Sequence, residues 1–183
     1  MTSLTYEDVR QQLRYEPDTG RFIRLTATSS KTAVGDIAGH VNQRGYRVIS
    51  IGGKQYRSHR LAFLYMVGRW PLNQMDHIDG DKDNNRWANL REATHAQNQR
   101  NRGQRIDNSS GFKGVTWIDH GDTSWRAQIR SNGGETRFAG NHRTREEAAR
   151  AYDKAALALH GEFAVTNESL GLLPPLQVKD TAP

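Results

Sequence analysis

The chain has 183 residues with 35% apolar content, and its 26 Lys and Arg against 20 Asp and Glu give a formal net charge of +6. Such a balance suits one or two small domains with modest cores and favours a polyanionic partner, nucleic acid before any other. The absence of cysteine excludes a disulfide framework, a thiol nucleophile and a cysteine-bound zinc, which leaves His, Asp, Glu and Asn as donors and hard cations as the metals they suit.

In chain order, Thr5 followed by Glu7 and Asp8 predicts a helix N-cap with acids in the first turn, and Val9 and Leu13 keep helical spacing. Pro17-Asp18-Thr19-Gly20 lies between Tyr15 and Phe22-Ile23, and Gly52-Gly53 lies between residues 46–51 and 55–57. Both read as hairpin turns, although the polar-apolar alternation over 46–51 is imperfect. From His59 to Val67 the spacing becomes helical, with Leu61, Leu64 and Tyr65 on one side, and Gly68 and Pro71 close the segment. That longest apolar stretch is far short of the roughly 18 residues a membrane span needs, and the N-terminus has no basic-then-apolar leader. The expectation is a soluble, cytoplasmic protein with no membrane contact.

The densest cluster of ligand-type residues comes next: Asp76, Asp79, Asp81 and Asp83 interleaved with His77 and followed by Asn84, Asn85, Asn89 and Asn98. Met75 to Ile78 reads as a strand that turns at Asp79-Gly80-Asp81 and returns through Asn89-Leu90, with a helix from about Thr94. In that strand-strand-helix hairpin, Asp76 and Asn98 can offer two hard oxygens, one from the strand and one from the helix, a set that suits Mg²⁺. His77 falls on the other face of the strand and suits a base, since an imidazole titrating near pH ~6.5 can take a proton from water while a metal stabilises phosphate and leaving oxygen. The reaction class that uses these parts is phosphodiester hydrolysis. The plainer alternative is an ordinary polar turn beside a half-buried histidine.

Residues 99–110, with Arg100, Arg102 and Arg105 and almost no apolar content, read as a basic helix end followed by a linker. Beyond it, Gly114 to Trp117, Trp125 to Arg130 and Thr136 to Ala139 predict three short strands. Thr144 with Glu147 forms a capping box for a helix to His160, with Ala148, Ala151, Ala155 and Leu159 as an apolar stripe and Tyr152 alongside. The helix covers one sheet face, toward which Trp125, Ala127 and Ile129 point. The opposite face carries Arg126, Gln128 and Arg130, joined by Thr136 and Phe138 from the third strand and Lys113 from the first. Arg and Gln read guanine and adenine edges, and a sheet can enter the major groove; a merely solvated face is the alternative. The tail from Leu170, with Pro174-Pro175, reads as extended and partly disordered.

His59-Arg60-Leu61-Ala62-Phe63, Asp76-His77-Ile78-Asp79-Gly80-Asp81, Asn84-Asn85, Asn89-Leu90-Arg91 and the segment from Thr94 to Asn98 resemble the HNH homing endonucleases of phages and introns, which have a ββα-metal fold. The resemblance implies that Asp76 binds the divalent metal, His77 activates the attacking water, Asn89 holds the hairpin and Asn98 is the second metal ligand. Asn98 stands where the family's last His is usual, as in its Asn-type subset, and His95 keeps a second assignment open. His59 is expected to pack or hydrogen-bond near the hairpin.

Gly111 to Asn167 resembles the Apetala-two/ethylene-response-factor type of DNA-binding domain, through Lys113-Gly114-Val115, Trp125 to Arg130, Phe138-Ala139-Gly140, Thr144, Glu146 to Asp153, Ala155-Ala156 and the segment from His160 to Asn167. It implies a sheet in the major groove with contacts from Lys113, Thr116, Gln128, Arg130, Thr136 and Phe138. His142 departs from the usual aromatic, and Thr116 and Ile118 stand where plant members often carry Arg.

Together these readings give an α+β chain: a hairpin-rich platform over 1–58, an HNH core over 59–103, a linker over 104–110, a three-stranded antiparallel sheet packed on one helix over 111–167, and a flexible tail over 168–183. The platform is expected to add phosphate contacts through Arg44, Arg47, Lys54 and Arg57. The function expected is that of a DNA endonuclease using one Mg²⁺ or Mn²⁺ per site, acting on double-stranded DNA as a monomer or weak dimer without a small-molecule cofactor, in a phage-infected bacterial host. The alternative is a non-catalytic DNA-binding regulator that keeps the hairpin as a scaffold.

Overall fold

The computed structural model describes residues 4–29, 32–100, 108–119, 125–131 and 134–175. The basic run and most of the linker over 101–107, and the tail beyond 175, lie outside these residues. The chain divides into two compact units between Asn98 and Gln99.

In the first unit, α1 (Tyr6–Gln12) begins at Thr5, whose side chain and that of Asp8 cap each other's backbone N–H groups, so the local signal at the N-terminus is a full capping box. Two antiparallel sheets follow: β1 (Leu13–Glu16) with β2 (Arg21–Arg24), and β3 (His40–Val41), β4 (Arg47–Ile51) and β5 (Lys54–Arg57) in the order β3-β4-β5. The imperfect alternation over 46–51 has a simple cause: β4 buries Val48, Ile49 and Ile51, residues of both parities. α2 (Ser58–Val67) ends at Gly68 in the left-handed region, which a residue without Cβ adopts without strain.

The core of this unit runs across the boundary expected at 58. Val9, Leu13, Phe22 and Ile49 pack with Leu61, Leu64, Met75 and Leu90, so the N-terminal hairpins and the strand-strand-helix segment are one folded body. That segment consists of β6 (Gln74–His77), β7 (Leu90–Ala93) and α3 (His95–Arg100), with β6 and β7 antiparallel and Asp76 opposite Arg91.

The second unit is an antiparallel sheet in the order β10-β9-β8, made of β8 (Val115–Trp117), β9 (Trp125–Arg130) and β10 (Thr136–His142), with α4 (Arg145–His160) packed on one face. Thr144 and Glu147 form the expected capping box. The buried stripe of α4 differs from the expected one: Ala148, Ala149, Tyr152 and Ala156 are buried, while Ala151, Ala155 and Leu159 only flank the core. The helix is turned because the Tyr152 ring lies where Gly114 would carry a side chain, 2.0 Å from an ideal Cβ. The tail expectation is also corrected as far as residue 175, since Leu173 is buried in this core and the N–H groups of Leu172 and Leu173 donate to the Asn167 carbonyl.

Candidate nuclease site and candidate nucleic-acid interface

The loop joining β6 to β7 is built by short polar side chains that bond to nearby backbone. Asp79 Oδ1 accepts the N–H of Asp81, and Asp81 Oδ1 accepts that of Asp83, the local habit of Asp in turns. Asn89 closes the loop from its far end. Its Oδ1 accepts the Asp79 N–H at 3.1 Å, and its Nδ2 donates to Asp79 Oδ1 at 2.9 Å and to the Asn84 carbonyl at 2.8 Å.

The loop is also tied to the N-terminal hairpins. Asp83 receives Arg47 through two parallel N–H···O bonds of 2.8 Å each, so Arg47, expected to contact phosphate, is instead engaged in holding the loop. The Tyr15 hydroxyl donates to the Asn85 carbonyl at 2.6 Å, and the Trp87 N–H donates to the Pro17 carbonyl. At Gly20 the hairpin backbone comes so close that an ideal Cβ would stand 2.3 Å from the Asn85 carbonyl carbon. Only glycine fits there, which fixes the depth at which Asn85 sits.

Asn85 matters because its side chain reaches His77. Nδ2 of Asn85 donates to the Asp83 carbonyl at 2.9 Å, which leaves its Oδ1 as the atom 3.3 Å from His77 Nε2. An amide oxygen can only accept, so this bond favours the imidazole tautomer with the proton on Nε2 and the lone pair on Nδ1. His77 is 5% exposed and packs at 5.0 Å edge to face with the His59 ring and 6.2 Å from the Tyr46 ring. Burial pushes its pKa below the ordinary histidine value, against the opposing pull of the Asn85 bond and the charges of Asp79, Asp76 and Asp81, so the ring is neutral at pH 7. His59 is pushed down to about 3 by burial and then by His77, Arg57 and Arg60. It packs against His77 near the hairpin, as expected.

Asp76 and His77, adjacent on β6, point to opposite faces. Asp76 is 4% exposed, and its Oδ2 accepts from Arg91 Nε and lies 2.9 Å from Arg91 Nη2. Gln74, two residues before Asp76 and so on its face, meets α3 with both ends of its amide: Asn98 Nδ2 donates to Gln74 Oε1 at 2.6 Å, and Gln74 Nε2 lies 3.1 Å from His95 Nδ1. Both candidate second ligands thus stand on the Asp76 face of the hairpin. The bond to Gln74 uses the Asn98 amide nitrogen and leaves its oxygen, the hard donor, for another partner. Among the described residues no three His, Asp or Glu side chains gather as a ligand set. The donors present, a buried carboxylate and an amide oxygen, fit a small hard divalent ion that keeps water or phosphate in its other positions.

In the second unit the sheet face opposite α4 carries Thr116, Arg126, Gln128, Arg130, Thr136 and Phe138. Register places Thr116 beside Arg126, Phe138 beside Gln128 and Thr136 beside Arg130, and Val115, Ala127 and Ile129 of the other parity are buried under the helix. Phe138 is 63% exposed, with the Arg126 guanidinium 5.7 Å from its ring centre. Lys113 is corrected out of this group. It precedes β8 and is half-buried, and desolvation lowers its pKa to about 8 against the pull of Asp153 on α4. Its backbone N–H and carbonyl both bond the buried side chain of Asn167, which also donates to Asp153 at 2.8 Å, so this stretch works as a joint between strand, helix and C-terminal segment.

Sequence reasoning passed over Gln74 and Tyr46 as parts of the site, and named Asn85 and Arg91 only within the cluster and the motif, without a role of their own. A usable signal existed for Arg91 alone, whose position opposite Asp76 follows once the hairpin register is drawn.

Residues 56–100 match the family model described as HNH endonuclease. An uncharacterized HNH endonuclease of Acanthamoeba polyphaga mimivirus is 35% identical over 130 residues, 70% of this chain and 66% of that protein. An ethylene-responsive transcription factor of Arabidopsis thaliana is 44% identical over 75 residues, 40% of this chain and 27% of that protein. A solved structure of the HNH homing endonuclease I-HmuI, described in terms of DNA binding and cleavage, aligns over 87% of this chain and 91% of its own at 21% identity and a TM-score of 0.41. The family model and the viral relative support an HNH endonuclease domain in this chain, and no helix among the described residues is long and apolar enough to cross a membrane.

Proposed function

We propose that this protein is a divalent-metal-dependent DNA endonuclease of the homing type, in which the first unit cuts and the second reads sequence. The observation that carries the reading is the setting of His77: buried and bonded through Nε2 to Asn85, next to the buried carboxylate of Asp76 on an HNH hairpin. His77 acts as general base, with Nδ1 taking a proton from the attacking water. Asp76 and the Asn98 oxygen hold Mg²⁺ or Mn²⁺, with His95 as the alternative second ligand. When bound, the ion neutralises phosphate charge and stabilises the leaving oxygen. Arg91 holds the Asp76 carboxylate in place, and Asn89 keeps the loop closed so that the residues on either side of it stay in register.

The open sheet of the second unit reads the major groove through Arg126, Gln128 and Arg130, with Thr116, Thr136 and Phe138 completing the contact surface. Its likeness to an ethylene-responsive transcription factor supports this assignment. The protein acts on double-stranded DNA, as monomer or weak dimer, inside an infected host cell. One site cuts one strand, so nicking is the basic event.

A plasmid relaxation assay with and without Mg²⁺, on wild type and His77→Ala, tests the reading. Metal-dependent conversion of supercoiled to open-circle DNA is expected, reduced by about 10²–10⁴-fold in the variant, the usual size of a general-base contribution, with DNA binding retained. Cleavage that survives the substitution refutes the mechanism. Binding without any cleavage by wild type favours the regulator reading.

A further inference from the structure

Outside the residues that address the reacting phosphate, the first unit gathers two cations on one aromatic ring. Tyr46 directly precedes β4, and its ring lies 6.2 Å from that of His77 and 5.5 Å from that of His59. The Arg57 guanidinium carbon is 4.6 Å from the Tyr46 ring centre and Lys82 Nζ is 5.2 Å from it, both within cation–π range. The two come from distant places in the chain, Arg57 from the end of β5 and Lys82 from the loop between β6 and β7. Lys82 also donates to the Arg44 carbonyl at 3.1 Å, which fixes its ammonium.

Among the described residues neither Arg57 nor Lys82 forms an ion pair, whereas Arg47 and Arg91 in the same unit are paired with Asp83 and Asp76. Both side chains are exposed. Two like charges held against one ring repel each other, and an anion that meets both would remove that cost. Its position beside His77 says which anion: a phosphodiester of a strand laid across the site.

We propose that Tyr46 presents Arg57 and Lys82 as a clamp for backbone phosphate adjoining the one that His77 addresses. This deepens the hydrolytic reading and rests on it. The clamp supplies position rather than chemistry, and it divides the basic residues of the N-terminal hairpins by role, since Arg47 is engaged by Asp83 while Arg57 stays available.

The test is the salt dependence of duplex DNA binding by the full chain in metal-free buffer, followed by anisotropy. Arg57→Ala and Lys82→Ala each lower the slope of log affinity against log salt by about 0.9, the value for one lost phosphate contact. Arg14→Ala, at an exposed arginine paired with Glu16, leaves it unchanged. Tyr46→Leu removes the ring but no charge and lowers the slope as well, while Tyr46→Phe restores it; if the Leu variant fails to fold, the two exposed cation variants still decide. Unchanged slopes in Arg57→Ala and Lys82→Ala, in a protein that nicks DNA with Mg²⁺, overturn the clamp alone. A slope moved by the cation variants but not by a folded Tyr46→Leu overturns the role of the ring. The expected slopes in a protein that never cuts overturn the hydrolytic reading and leave the clamp standing.

Discussion

Asp76 and His77 are 4% and 5% exposed and are held by Arg91 and Asn85, whereas Phe138 in the C-terminal unit is 63% exposed and Thr116, Arg130 and Thr136 stand open to solvent beside it. The first unit spends hydrogen bonds and an ion pair on fixing Asp76 and His77, its candidate reactive groups. The second concentrates its buried polar contacts on the scaffold, through Asn167, Asp153 and the Gly114–Tyr152 contact, and leaves Thr116, Arg130, Thr136 and Phe138 of the opposite face exposed. A base and a metal ligand work only at set positions, while side chains that read base edges must be reachable and able to shed water. The same polar chemistry is therefore buried in one unit and displayed in the other.

The sharpest way to break that contrast is to remove an arginine from each unit. Arg91→Leu leaves the Asp76 carboxylate buried without its partner, and the first unit should lose about 3–5 kcal/mol in metal-free denaturant unfolding, the range for breaking a buried pair. Arg130→Leu, on the exposed sheet face, should change stability by no more than about 0.5 kcal/mol. Equal losses would mean that the two units do not differ as described.

On the reading side, Gln128→Ala and Arg130→Ala should each reduce discrimination between target and mismatched duplexes by about 1–3 kcal/mol, with the nicking rate at saturation unchanged. Competition binding against single-base variants measures this. A loss of turnover with selectivity intact would assign the sheet to the chemistry instead.

An effect of similar size is expected at Asn85. Asn85→Ala should shift the His77 tautomer away from Nε2–H in ¹⁵N spectra of the metal-free protein and cost about 1–3 kcal/mol of stability through the unmet buried bond. An unaltered tautomer would show that something other than Asn85 orients the base.

The last expectation is a pH slope. His59 titrates at about 3 in the folded protein because burial disfavours its charged form, and near the ordinary histidine value when unfolded. The unfolded chain therefore binds the extra proton first. Stability is complete above pH ~6.5 and declines as pH falls from there toward 3. His59→Leu should flatten the part of the decline between about pH 6.5 and 5, before carboxylates begin to titrate. Its buried Nδ1 has no hydrogen-bond partner, so the substitution leaves no new polar atom stranded.

Much of this was readable from local sequence. The Thr5 N-cap, the Thr144 capping box, the glycine stop at Gly68, the hairpin that presents Asp76 and His77, and the parity that sets Arg126, Gln128 and Arg130 on one sheet face each depend on residues a few positions apart, where backbone geometry leaves few choices. The contacts that turn those elements into a site connect residues far apart in the chain. Tyr15 reaches Asn85 across 70 positions and Arg47 reaches Asp83 across 36. Only the packed core decides which hairpin lies against which loop, and so which arginine is tied up and which stays available. The turn of α4 about Tyr152 and the withdrawal of Lys113 from the open face have the same origin. Helical spacing allowed either stripe, and the close approach of a ring to Gly114 selected one. Local sequence set the elements and the residue types gathered at the candidate site, because short-range sterics and hydrogen bonding govern them. Tertiary structure decided their partners, burial and charge state, because those depend on what the rest of the chain brings alongside.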